Sequence, residues 1–362
     1  MGTKRVVLEQ NYEDYWKLTL EYSDIYSSKY NGTLRIIVDY IDKTNISPNH
    51  KIFQEQYKEL QNKVYNVYPK EDMGSVRKSI NQFIKLGFIK YRLSGYHEKT
   101  KKFLNETNLE RKKRLFSEIV YSSASFRSSV TEDSEEKEIN FFIKTLENNK
   151  SLDIDEVLGI ILTLPSEYPK GYLNEDELNE MTRLAKEIRF RERKYNQLRY
   201  VIDVLKKLEG VQEYNGKFYL EETFIEDELR VETRKVRDNY LQRLYKNQLK
   251  QESKELFGEV VCMISKVPYY AMIASHIKPF IDSAPKEEYD SQNGLLLGKD
   301  LDFLFDQGYI SIDNSGEIIM CNGIREKIVE YHNLRGLYID NRLLTDERRT
   351  YLNYHRDFIF KK

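Results

Sequence analysis

The chain has 362 residues, room for two or three domains of roughly 100–200 residues each. Apolar residues make up 40% and charged residues 32%, an ordinary globular balance, and no apolar run approaches the ~20 residues needed to span a bilayer, so no membrane role is indicated. The formal net charge of −1 excludes a uniformly basic nucleic-acid binder but not a local basic face, and the two cysteines, Cys262 and Cys321, exclude a disulfide framework or a CxxC zinc site.

The opening MGTKRVVLEQ sets Glu9 behind an apolar patch too short for a secretory core, which predicts a cytoplasmic protein. Residues 13–120 read as mostly helical, with apolar spacing at i, i+3 and i+4. Within GSVRKSINQFIKLGFIKYRL, Val76, Ile80, Phe83 and Ile84 share one helical stripe, Gly87 stops the helix, and Phe88, Ile89 and Tyr91 begin a strand. Helix, glycine, strand is the order at the end of a winged-helix unit. The opposite face carries Arg77, Lys78, Asn81, Gln82 and Lys85, and residues 74–92 hold five basic side chains and no acidic one. Such a face suits a major groove, so Arg77, Lys78, Asn81 and Lys85 are candidate DNA contacts.

Residues 122–138, SSASFRSSVTEDSEEKE, are serine-rich and then acidic, and are expected to be a linker between residues 1–121 and a second winged-helix-like module at 139–224. That module has helical patterns at 139–149, 153–164 and 174–208, then Asn215-Gly216 between short strand-like runs, a strong hairpin signal. Residues 225–256 read as one connecting helix; between 230 and 250 it has seven basic residues against Glu232 and Asp238, a charge that could track a DNA backbone.

The last segment, 257–362, carries the chemistry. An apolar run from Tyr270 delivers His276 at its end, Lys278 and Pro279 stop the strand, Asn293-Gly294 turns into Leu295, Leu296 and Leu297, and a short helix from Lys299 carries Asp302. An imidazole, an amide and a carboxylate in one small volume fit phosphodiester hydrolysis. A neutral histidine takes a proton from water, a carboxylate-held cation stabilises phosphate charge, and an amide keeps the loop in register. Lys278 is a candidate phosphate contact.

The order Cys262, ASHIKP at 274–279, NGLLL at 293–297 and LFDQGYISIDNSGEI at 304–318, followed by a tail with Tyr351, Tyr354, His355 and Arg356, resembles the HNH endonuclease family over residues 255–360. The resemblance implies a ββα-metal fold with a strand at Cys262, and DNA hydrolysis with Mg²⁺ or another divalent cation such as Mn²⁺. It further implies His276 as general base, Asn293 as the loop brace and Asp302 as metal ligand. One departure is Ser275, where many HNH enzymes have an aspartate or histidine ligand. The ion is then expected on Asp302, with Asp290 or Asp306 as the other nearby acids, although Asp306 with Gly308 reads first as shaping a helix-to-strand turn.

The expected whole is a mainly helical α+β protein, with winged-helix-like recognition modules and a C-terminal HNH nuclease domain. About 250 residues of apparent recognition apparatus resemble those of a type II restriction endonuclease that acts on double-stranded DNA. Such an enzyme would dimerise at least on DNA and be paired with a separate methyltransferase, since no Gly-rich cofactor loop follows any strand here. The alternatives are a modification-dependent HNH endonuclease and a non-catalytic winged-helix regulator.

Overall fold

The computed structural model describes residues 15–214, 216–221 and 237–361. The chain divides into two compact units, Met1–Glu222 and Thr223–Lys362. No helix among the described residues is long and apolar enough to cross a membrane.

The N-terminal unit starts with α1 (Ser28–Lys43), α2 (His50–Val67) and α3 (Met73–Lys85). Each follows a side-chain cap, Ser27, Asn49 and Asp72 respectively, whose oxygen takes an otherwise unpaired amide proton of the first turn. Val76, Ile80, Phe83 and Ile84 of α3 are buried as their spacing predicts. Phe83 packs edge-on against Tyr30, with ring centroids 4.8 Å apart. Gly87 has φ +81°, and a Cβ there would meet the Ser123 backbone at 2.5 Å, so only glycine fits.

The strand expected from Phe88 to Tyr91 is a correction. Ile89 makes one isolated bridge to Tyr96, and Tyr91–Leu93 is a 3₁₀ turn. The Lys90 amide bonds back to Gly95, so the chain reverses before a second pair can form.

After α4 (Thr100–Asn105) and α5 (Leu109–Ser123), the segment expected to be a linker is built into the same unit. Ala124, Phe126 and Val130 are buried, Phe126 lies edge-on to Trp16 at 5.8 Å, and the Phe126 amide donates to Glu138. Serine-rich sequence hides three apolar anchors here. Trp16 also ties the two halves together, through its backbone amide to the Ile161 carbonyl and its indole N–H to the Thr163 carbonyl.

Next come α6 (Glu138–Asn149), β1 (Ser151–Asp153), α7 (Ile154–Ile161), α8 (Glu175–Glu187), α9 (Phe190–Arg193), α10 (Tyr195–Leu205), β2 (Val211–Tyr214) and β3 (Lys217–Leu220). The single helical pattern expected over 174–208 is broken at Arg189, whose φ of +50° no helix tolerates. The strands form an antiparallel sheet in the order β1-β3-β2, with buried Leu152 opposite buried Phe218. The expected hairpin is present as β2 and β3, with Gly216 at φ +73°, while Asn215 lies outside the described residues.

The C-terminal unit opens, among the described residues, with α11 (Asn239–Phe257), capped by Asp238 and closed by Gly258 at φ +86°. The single helix expected over 225–256 does not run through: Arg237 and Asp238 are not helical and the helix starts at Asn239, while residues 225–236, with Arg230, Arg234 and Lys235, lie outside the described residues. Strands β4 (Met272–His276) and β5 (Gly294–Gly298) pair antiparallel, and α12 (Lys299–Asp306) follows at once. Then come β6 (Ile310–Ile312) paired with β7 (Ile318–Met320), α13 (Glu326–Tyr331) and α14 (Asp346–Phe358). Cys262 is not on a strand: it closes a turn with Val267, and the next residue, Met263, donates its amide to the Leu296 carbonyl. Leu295, Leu296 and Leu297 are fully buried, which explains why β5 reads as an unbroken apolar run.

Candidate active site

His276 is the last residue of β4, opposite Gly294, and is 7% exposed. Its Nε2 lies 2.8 Å from the Glu288 carbonyl oxygen. A carbonyl only accepts, so Nε2 carries the hydrogen and Nδ1 keeps its lone pair. The ring is stacked on Tyr245 with centroids 4.8 Å apart and meets the edge of Phe280 at 5.7 Å. Burial brings the imidazole down to about 4, so it is neutral at pH 7.

Asn293 is fully buried and spans the loop between the two strands. Its Oδ1 accepts the Lys278 amide at 2.7 Å, and its Nδ2 donates to the Lys278 carbonyl (3.1 Å), Ser283 Oγ (3.2 Å) and the Glu287 carbonyl (3.2 Å). The Asn293 carbonyl in turn accepts from the Ile277 amide and from the Tyr245 hydroxyl. One side chain thereby fixes the loop that presents the Glu288 carbonyl to His276. Next to His276, Ser275 Oγ is buried without a hydrogen-bond partner among the described residues.

Asp302 and Asp306 stand one turn apart on α12, a spacing that puts both on one helix face. Asp302 is buried, and Asp306 is half-buried. The charge of Asp306 is felt at His276, where it favours the protonated form. Sequence reasoning gave Asp306 first to the turn before Gly308, and its place on α12 also lets its charge bear on His276. Asp290 is spent differently: it accepts from the Gln292 amide and from the Tyr351 hydroxyl, anchoring a 3₁₀ turn and α14. Among the described residues, no group of three or more His, Cys, Asp or Glu is arranged to hold a metal ion.

Two side chains expected to face DNA have other tasks. Asn81 Oδ1 accepts the Val130 amide at 2.9 Å, and the Lys85 amine donates to the Phe126 carbonyl, while burial brings that amine down to about 8. Gln82 is also buried, accepting the Glu21 and Tyr22 amides. Arg77 and Lys78 remain exposed. Lys278 is ion-paired with Glu287 at 2.6 Å and lies over the Tyr354 ring.

Sequence reasoning missed Tyr245 and the role of His355. Tyr245 is fully buried between His276 and Asn293, and its only signal was its place on the apolar stripe of α11. His355 pairs with Ser311 Oγ (2.8 Å) and the Phe305 carbonyl (3.0 Å) and stacks on the Phe305 ring at 3.9 Å. It holds α14 against the end of α12, where Asp306 sits.

No curated protein matches the chain. Residues 262–313 match the family model described as HNH endonuclease. His276, Asn293, Asp302 and Asp306 all fall inside the match, and the hairpin and helix that carry them are an HNH endonuclease domain.

Proposed function

We propose that the protein is a metal-dependent, sequence-specific DNA endonuclease of the type II restriction kind, with His276 as general base. The observation that carries this is the imidazole: Nε2 is committed to the Glu288 carbonyl, which leaves a neutral Nδ1 able to take a proton. Nδ1 removes a proton from water, the oxygen attacks phosphorus, and the bond to one ester oxygen breaks, that oxygen leaving with the electron pair and taking a proton from solvent. Asn293 holds the loop so that the imidazole stays oriented through this step.

The donor set fits a hard divalent cation such as Mg²⁺ or Mn²⁺. Such ions are commonly held by one or two carboxylates, with water and phosphate oxygens filling the shell, and Asp302 with Asp306 supplies that number. When bound, the ion would stabilise charge on the phosphate and the leaving oxygen.

The N-terminal unit is the recognition part. Its second half runs helix, strand, helices, hairpin with sheet order β1-β3-β2, which supports a winged-helix reading there. In the first half, Arg77 and Lys78 offer exposed charge to DNA. Cutting both strands with single sites calls for a dimer on DNA, and protection of the host calls for a separate methyltransferase.

The test is incubation of the purified chain with phage DNA and Mg²⁺, beside the same chain with His276→Ala. Discrete fragments from the first, and at least about 100-fold slower cutting with DNA binding retained in the second, are expected. Cutting by the alanine variant at the unaltered rate would remove His276 as the base.

A further inference from the structure

At the other end of the β4–β5 hairpin from His276 lies a cleft of about 510 Å³ that the hydrolytic reading does not use. Its walls bring together Tyr269, Tyr270 and Tyr331 with Lys299, Asp300 and Asn333. The aromatic faces are bare: Tyr270 is fully exposed and Tyr331 is 80% exposed. A ring that buries little of itself adds little to the fold, and two of them beside one cavity are a surface awaiting a partner. Gly298, where β5 passes into α12, is part of the construction. A Cβ there would meet the Tyr269 ring at 2.6 Å, so glycine is what lets that ring lie over the turn.

We propose that this cleft takes an unstacked nucleobase of the DNA on which the hairpin acts. The proposal rests on the nuclease reading for the choice of ligand, and on three features of the cleft. First, the volume falls within the ~300–1,000 Å³ of ligand pockets. Second, tyrosine faces stack on any base, while Asp300 and Asn333 offer an acceptor and a mixed amide to a base edge and Lys299 offers a cation to phosphate. Third, the cleft and His276 belong to one rigid hairpin. Tyr269, Tyr270 and Ala271 lead into β4, and Gly298 to Leu301 lead out of β5, with Met272 opposite Gly298 at that end and His276 opposite Gly294 at the other. Four residues of strand are roughly 14 Å, at about 3.4 Å each. That is about four base steps along one strand of B-form DNA. Where the DNA strand runs along the hairpin, a base turned out of the stack a few steps from the cut would lie at the cleft mouth.

The experiment measures binding of a fluorescently labelled 12-nucleotide dT strand, whose bases are already unstacked, to the full chain without divalent cation. Tyr270→Ala and Tyr331→Ala should each weaken binding at least fivefold, with Tyr270→Phe and Tyr331→Phe within twofold of the parent chain. Ultraviolet cross-linking of the same strand with 5-iodouridine substitutions should map to peptides holding residues 269–271 or 331. Unchanged affinity in both alanine variants, or cross-links confined to other peptides, overturns the proposal. The two readings fail separately. A chain that cuts phage DNA but binds dT independently of these tyrosines refutes the cleft and leaves the nuclease, whereas tyrosine-dependent binding without cutting does the reverse.

Discussion

At Asn293 the amide nitrogen faces three oxygen acceptors, the Lys278 and Glu287 carbonyls and Ser283 Oγ, while the side-chain oxygen takes the Lys278 amide proton. Asn293→Asp keeps the shape but turns a carboxylate oxygen toward those acceptors, and Asn293→Ala removes both partners. We expect a loss of about 3 kcal/mol for alanine and a larger one for aspartate, read from chemical denaturation midpoints, with cutting abolished in both. An aspartate variant as stable as the parent would contradict the bracing role. Tyr245→Phe is gentler: it keeps the ring stacked on His276 and removes only the hydroxyl that bonds the Asn293 carbonyl. It should cost on the order of 1 kcal/mol and leave cutting within about tenfold.

At the scale of elements, α14 and α11 are joined by Arg348, which is fully buried and makes a two-point bond to Glu252 at 3.0 and 2.8 Å. Arg348 also donates to the Ser291 carbonyl, two residues before Asn293, so this pair steadies the loop from behind. Glu252→Gln removes the countercharge of a buried guanidinium and should destabilise the chain by about 3 kcal/mol in urea unfolding, more than a surface pair would. The β4–β5 hairpin and α12 were legible in sequence because strand length, the stop at Pro279 and the helix start at Lys299 each leave a local mark. The inward turn of Asn81 and Lys85 was not. Both flank the apolar stripe of α3, where helical periodicity leaves orientation open, and what captures them is a distant segment around Phe126 and Val130. Arg348 was illegible for a similar reason, since its partner lies 96 residues away.

Over the whole molecule, the two units should answer acid differently. In the C-terminal unit, burial holds His276 and His355 down at about 4, below the ordinary value of 6.5. Between those values the unfolded chain binds more protons than the folded one, so stability is full above 6.5 and falls as pH drops toward 4. In the N-terminal unit, His97 is shifted the same way to about 4, but burial raises Glu138 to about 7. There the folded form binds the extra proton, and stability grows as pH falls from 7 toward the ordinary glutamate range, offsetting His97. Trp16, the sole tryptophan, reports the N-terminal unit, and far-UV circular dichroism reports both. Melting at pH 7 and pH 5 should lower the circular dichroism midpoint while shifting the Trp16 emission midpoint less. Equal shifts would mean that the histidines of the C-terminal unit are not buried as described.

The carbonyl of Glu288 has one more consequence. With Nε2–H held there and the ring buried between Tyr245 and Phe280, burial disfavours the imidazolium more than the Glu288 carbonyl favours it, so a proton taken up at Nδ1 would readily pass on to a base such as water. The arrangement trades some basic strength for an imidazole whose resting form at neutral pH is the neutral one.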